Sequence, residues 1–393
     1  MQDASACEGQ RDHGKEPADT KRCGMVWQLG RKKRALPIGV DLGASEVRMV
    51  QLCVDGDDVD MQAHTVLTVP NHLVGDQIGR LDFLRQQLPL VLRDHPFRGR
   101  RCVLCLPSDN SFVRHVKVPK LNQKATETAV RQAAQADLPY PINEAVLRHI
   151  VAGEVYADGQ KMQEVIVVAV PLSTLDAYLR MTHQVGLEVV GVNIEPVATV
   201  ECFAGLFAWA NDENRKVMYV NLRSNNTLAV VAHGSQVVFA RNLPFGGRQV
   251  DKAVAEGLDV PVDEAANIRQ AIMLNEPTDV GPDEVYRFIE PWVARLSEEL
   301  DHCLLYYRSA FRPTNVERII FTGVQAVDKR LCQAMAQRLN LAAQIGDPMM
   351  GLRTGGQLGG QVGGDGATTT ATQAQPGLAV AIGLSLSGQS EHR

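Results

Sequence analysis

The sequence predicts an α/β protein made of two similar halves. Two observations carry that expectation. Short apolar strands alternate with helical segments along nearly the whole chain. A strand–turn–strand unit that opens with PIGVDLGASEVRMVQL (37–52) also returns in mid-chain as VMYVNLRSNNTLAVVAHGSQVVFARNLPF (217–245). In the second copy Asn221 takes the place of Asp41, and His233-Gly234-Ser235 that of Asp55-Gly56-Asp57. The offset is 14 residues in the first copy and 12 in the second. A fold of two similar halves is the economical explanation.

Residues 38–42 and 46–54 alternate as strands around a small-residue turn. After a second turn at 54–57, strand character resumes over 59–69. Leu81, Leu84, Leu88 and Leu92 recur at helical spacing, and Pro89 is expected to kink or end that helix. RRCVLCLP (100–107) reads as a short buried strand. Residues 122–138 form an Ala-rich helix capped by Asn122 and stopped by PYPI (139–142). VIVVAVP (165–171) is a strand, 173–185 a helix capped by Ser173 or Thr174, and LEVVGVNIEP (187–196) another strand. A helix follows to about Ala210, then the polar break NDENR (211–215).

Past the second hairpin come helices near 248–257 and 262–274. A long helix over 283–311 carries Val285, Phe288, Trp292, Leu296, Leu300, Cys303, Leu304 and Tyr307 on one face, which reads as core. VERIIFTGV (316–324) is a strand entering a Gly turn, followed by a helix at 328–339. Residues 353–375 are Gly-, Thr- and Gln-rich and read as a flexible loop, before a small-residue helix at 377–387.

Composition narrows the class. A chain of 393 residues suggests two or three domains, and 45% apolar with 22% charged residues is ordinary for a soluble globular protein. A formal net charge of −5 speaks against nucleic acid. No stretch approaches the roughly 20 apolar residues of a membrane span, and the first 30 residues lack the apolar core of a signal peptide. The eight cysteines are scattered, as in a reducing cytoplasm. Residues 1–36 read as a tail ending in Arg31-Lys32-Lys33-Arg34. The tail is either a disordered leader or a weak anchor, with Met25, Val26, Trp27 and Leu29 beside the basic run touching an anionic membrane surface or a partner.

Two hairpins with an Asp or Asn at the end of the first strand suit one task. N–H groups in a tight Gly/Ser turn converge on phosphate oxygens, and a strand-end Asp holds Mg²⁺ through water. Two such turns facing each other would clamp a nucleotide tail, and the turn Thr322-Gly323-Val324 would let an adenosine lie against backbone. Other chemistries leave no trace. Cys102 and Cys105 form a lone C-x-x-C and read as core thiols on opposite faces of a strand. The ten histidines show no metal-ligand spacing, and there is no G-x-S-x-G and no P-loop. Glu195, at the head of a helix between the halves, is a weak candidate for acting on a water.

This constellation resembles the actin-like ATPase superfamily. Within it, ADLPYPINEAVLRHIV (136–151), VNIEPVATVECF (192–203), NLPFGGRQVDKAVAEGLDVPVDEAANIRQ (242–270) and GLAVAIGLSL (377–386) fall in the order of the PilM family, the cytoplasmic actin-like component of type IV pilus assembly. The resemblance covers about residues 37–387. It implies an α/β, actin-like (ribonuclease H-like) two-lobed fold with an inserted α/β subdomain. The implied divisions are a tail at 1–36; lobe I at 37–116, 191–212 and 376–388; an inserted partner-binding subdomain at 117–190; lobe II at 213–352; and the loop 353–375.

The resemblance also implies ATP with Mg²⁺ between the lobes, and capture of a short N-terminal peptide from an inner-membrane PilN-like partner in a groove beside the insertion. Asp41, Gly43, Ser45 and Arg48 would form the first phosphate site, with Asp41 at the metal. Gly246 and Gly247 would wall the nucleotide from lobe II, Glu264 and Arg269 would lie near the base, and Gly323 at the adenosine. The chain departs from the pattern at the second phosphate turn, where Asn221-Leu222-Arg223 stands for Asp-x-Gly, and at Thr322, which replaces a glycine. Arg223 could supply a cation to phosphate. These changes oppose an efficient ATPase. The expected protein is a cytoplasmic scaffold held at the inner membrane face by its partner, and at most a weak ATPase. The alternatives are an FtsA-like filament former and a small-molecule kinase of the same fold.

Overall fold

A computed structural model describes residues 33–56, 58–157, 159–208, 215–311, 315–350, 352 and 374–388. The tail up to Lys32 and most of the 353–375 loop lie outside the described residues.

The first part of the chain is strand-rich. It comprises β1 (Arg34–Ala35), β2 (Ile38–Asp41), β3 (Glu46–Asp55), β4 (Asp58–Thr68), α1 (Gln77–Asp94), β5 (Arg101–Cys105) and β6 (Phe112–Pro119). Then come α2 (Gln123–Gln135), β7 (Ala145–Ala157), β8 (Gln160–Pro171), α3 (Leu172–Gln184), β9 (Glu188–Asn193) and α4 (Glu195–Ala208). The second part runs β10 (Lys216–Leu222), β11 (Thr227–His233), β12 (Gln236–Leu243), α5 (Gly247–Leu258), α6 (Val262–Leu274), α7 (Pro282–Ala310), β13 (Arg318–Thr322), α8 (Lys329–Leu339), β14 (Ala342–Ile345) and α9 (Ala379–Ser387).

The expected duplication is visible strand for strand. One sheet has the order β1-β3-β2-β5-β9 with β4 also on β3, and another the order β12-β11-β10-β13-β14. In each, an antiparallel meander is extended by two parallel strands. Asp41 pairs with Arg48 across β2–β3, and Asn221 with Leu228 across β10–β11. The register shifts between Gln51 and Leu52 of β3 and between Val231 and Ala232 of β11, which leaves Gln62 of β4 and Val238 of β12 as the extra, bulged residues. Both shifts therefore begin ten residues past the strand-end Asp41 or Asn221. A bulge bends its strand locally, so the two meanders carry the same bend.

A third sheet, β6-β8-β7, is covered by α2, whose Val130 and Ala134 pack on Val116, Val118, Val165 and Val167. Asn122 caps α2 by accepting from the Ala125 N–H at 3.0 Å. This sheet is tied to the second lobe by polar contacts. Glu164, fully buried, accepts from Tyr306 O–H at 2.5 Å and lies 3.0 Å from His115 Nδ1.

Some expectations differ from the structure. Strand pairing starts before Pro37, because Arg34 and Ala35 pair with Val54 and Cys53 on the edge of β3, and Lys33 bonds Asp60. Helix α1 does not end at Pro89 but continues to Asp94. Pro89 lies on the exposed face, where the carbonyl left without a partner meets water. Ser173 and Thr174 lie inside α3, which starts directly from β8 with no side-chain cap. The strands β6, β7 and β14 were absent from the sequence expectation. Tyr178 and Met181 of α3 pack with Leu84 and Leu88 of α1 in the first lobe's core.

Helix α4 lies between the lobes. Its Ala198 belongs to a small cluster with Val103, Cys105, Val380 and Leu384, while Val200 and Phe203 belong to the second lobe's core. Helix α9 packs on α4, β2, β3 and β5, its small residues permitting the close approach.

Candidate functional site

The two hairpins place their strand ends face to face. From the first lobe come Asp41, the turn Gly43–Glu46 and Arg48. From the second come Asn221, Arg223 and Ser224–Asn226, with Gly323 at the end of β13. Ser108 and Asp109, just past β5, close one side, and Pro376 and Gly377 the other. The head of α4 brings in Glu195, which is buried. All of these except Glu195 line one cavity, of about 20 Å³. That is room for about one water molecule.

What fills the cleft is Arg223. One arm of its guanidinium bonds Glu195 Oε2 and lies 3.5 Å from Ser108 Oγ. The other reaches Asp41 Oδ1 at 3.5 Å. Asn221 Nδ2 donates to the second Glu195 oxygen at 2.7 Å. Asn226 donates to Ser108 Oγ at 2.7 Å and Asp109 Oδ1 at 3.1 Å, and Asn225 to Asp109 Oδ2 at 3.3 Å. The Gly43 position must be small, because a Cβ there would lie 2.7 Å from the backbone oxygen of Glu46 and 2.8 Å from Arg223 Nη2.

Burial governs the charges. It would lower the Arg223 pKa, but Glu195 and Asp41 outweigh it and hold the guanidinium above its ordinary range. Glu195 is pushed up by burial against the pull of Arg223. Arg48, held in its ion pair with Glu46, is lowered by burial to about 10, with Asp41 opposing.

The expected site residues fall into three groups. Asp41, Gly43, Ser45, Arg48, Asn221, Arg223 and Gly323 line the cleft. Gly246 and Gly247 stand behind its second-lobe wall, where Gly247 and Arg248 donate their N–H groups to the carbonyls of Arg223 and Ser224 at 2.9 and 2.8 Å. Gly323 has φ 86°, a left-handed conformation, and a Cβ there would lie 2.3 Å from Asn221 Oδ1. Arg269 is buried behind this wall, paired with Asp251 and donating to Gln325 Oε1 at 2.7 Å. Glu264 is exposed and outside the cleft lining.

Three participants were not foreseen: Asn225 with Asn226, Ser108 with Asp109, and Arg80. The pair Ser108-Asp109 carried no signal beyond a polar turn after a strand. Arg80 did carry one, since it sits four residues before Leu84 on the apolar stripe of α1. Its guanidinium donates to the carbonyls of Leu42, Gly43 and Ala44 at 3.0, 2.6 and 2.8 Å, fixing the first turn.

The residues present do not fit a metal-bound triphosphate. The Arg223 cation lies between the two carboxylates, the N–H groups of Gly247 and Arg248 are spent within the second lobe, and Gly323 N–H donates to Pro376 O at 3.0 Å. No cluster of three or more metal-ligating side chains exists among the described residues. Cys102 and Cys105 are both buried, in different core clusters, and burial pushes Cys102 up to about 12.

A second, apolar hollow of about 50 Å³ lies beside the third sheet. Val113, Val168, Val170, Val192, Ile194 and Leu228 supply its apolar walls. Glu195 and Ser108 line it too, and so stand between it and the cleft. Val192, at its mouth, is 46% exposed.

Comparison with known proteins agrees with this architecture. A family model described as type IV pilus assembly protein PilM matches residues 39–389. The chain superposes on a PilM–PilN type IV pilus biogenesis complex with a TM-score of 0.73 and 22% identity, over 90% of this chain and 98% of that one. The ethanolamine utilization protein EutJ from Carboxydothermus hydrogenoformans gives 0.51 and 15% identity, over 90% and 89% of the two chains. MreB5 of Spiroplasma citri bound to ADP gives 0.50 and 9%, over 91% and 97%. These likenesses give the actin-like fold.

Proposed function

Because this chain belongs to the type IV pilus assembly protein PilM family, we propose that it is a cytoplasmic actin-like scaffold of a type IV pilus or related assembly platform. In this reading it takes up a short N-terminal peptide of a PilN-like inner-membrane protein and is held at the membrane through that partner. No described helix is long and apolar enough to cross a membrane. The observation that carries the proposal is the apolar hollow beside the third sheet. Its aliphatic walls suit one or two apolar side chains of an extended peptide, and main-chain groups at the neighbouring strand ends suit its backbone. We take the third sheet with α2, residues 112–171, as the inserted partner-binding subdomain, rather than 117–190, because β6 starts at Phe112 while α3 and β9 pack into the first lobe. Any grip on ATP is weak, since the cleft holds its own cation and little free space.

The experiment is titration with synthetic N-terminal peptides of PilN-like proteins from the same genome, using wild type and Val192→Asp. A charge at the exposed mouth costs little folding stability but opposes an apolar ligand. The expected result is saturable binding weakened at least about tenfold in the variant, roughly 1.4 kcal/mol. Equal binding by both would remove the hollow from the proposal.

A further inference from the structure

The duplication gives Arg223 a meaning that neither the family nor the fold assigns. The repeat aligns Asp41-Leu42-Gly43 with Asn221-Leu222-Arg223. The two triplets face each other across the cleft, and the long side chain of the second enters the space that Gly43 leaves open in the first. We propose that Arg223 is a resident cation, standing where actin-like nucleotide binders place metal-bound phosphate, and that it closes this cleft without nucleotide.

Three observations converge on this. The guanidinium lies between Asp41 and Glu195, the carboxylates that would otherwise face a divalent ion. The Asn221 amide satisfies the other Glu195 oxygen, where a carboxylate would repel it. The N–H groups of Gly247 and Arg248, at the start of α5, already serve carbonyls of the Arg223 turn. The contacts from Arg223 to Asp41 and Ser108, with those from Asn225 and Asn226 to Asp109, join second lobe to first. That bridge is part of the chain and needs no ligand to form. A planar five-donor fork suits the task better than an ammonium, because it serves two carboxylates at once.

The test uses the purified full chain and does not involve the partner peptide, so it stands or falls apart from the scaffold reading. Calorimetric titration of wild type with Mg²⁺-ATP is expected to show no saturation up to about 1 mM. Saturable binding below that overturns the proposal, since the guanidinium would then be swinging aside. Thermal unfolding supplies the second measurement. Arg223→Gly is expected to melt lower than wild type and to gain about 2 °C or more on adding Mg²⁺ alone, as the freed carboxylates take a new cation. Arg223→Lys keeps a charge and is expected to stay indifferent to Mg²⁺. An equal response to Mg²⁺ in wild type and Arg223→Gly overturns the proposal. Should Arg223→Gly fail to fold, the wild-type titration and Arg223→Lys still decide.

Discussion

The side-chain amide of Asn221 donates to Glu195 Oε1 at 2.7 Å, joining the end of β10 to the first residue of α4. Glu195 thus has both oxygens engaged, one by an amide and one by Arg223, although it is 5% exposed. A buried carboxylate is tolerated on those terms only.

Asn221→Asp puts on β10 the acid that Asp41 supplies at the matching place on β2, and sets two carboxylates in contact. The variant is expected to lose about 1–3 kcal/mol of stability near neutral pH. Part of that loss returns on acidification, when one proton is shared between the pair. Urea unfolding at two pH values measures both effects. A variant as stable as wild type near neutrality would mean that Arg223 alone neutralises the site.

Leu84 is fully buried on the inner face of α1, packed with Leu81, Leu88, Tyr178 and Met181. Leu84→Ala leaves a cavity that α1 and α3 cannot close together. The expected cost is about 2–5 kcal/mol. It is read as a lowered urea midpoint with unchanged slope.

His64 and His233 are both held below the ordinary histidine range by burial first, with His95 and Lys216 respectively adding to the effect. His233 Nε2 also lies 2.6 Å from the Tyr307 hydroxyl. Groups lowered in the folded state bind protons more readily in the unfolded chain. Their contribution is therefore complete above about pH 6.5 and is lost as the pH falls below it. Stability measured between about pH 7 and pH 5 should decline, with a shallower slope in His64→Gln and His233→Gln. An unchanged slope in both variants would assign the decline to other groups.

The duplicated hairpins were legible because each is local. Apolar alternation and a short turn announce a meander within thirty residues, and their match at Asp41 and Asn221 needs no tertiary knowledge. The departure at Arg223 was legible as well, but its consequence was not, since Glu195 and Ser108 reach it from 28 and 115 residues away. Arg80 shows the opposite case, a charge on an apolar stripe whose reason lies in three backbone carbonyls. The alternation of β6 at Val116 and Val118 was readable and the sequence expectation lacks it. Strand β14 was not readable, since Ala342-Ala343-Gln344-Ile345 has little intrinsic strand preference and takes its form from pairing with β13.

Ser385 of α9 donates its hydroxyl to Pro37 O at 2.8 Å and accepts from Leu52 N–H at 3.2 Å. Every strand of the second lobe's sheet, by contrast, lies within 216–345. During synthesis the second sheet can therefore be complete while β2 and β3 still wait for the helix that covers them. At ordinary ribosomal rates that wait is on the order of half a minute. The first lobe's apolar face is then the surface that a holding chaperone would meet, and the half of the molecule made first is the last to become native.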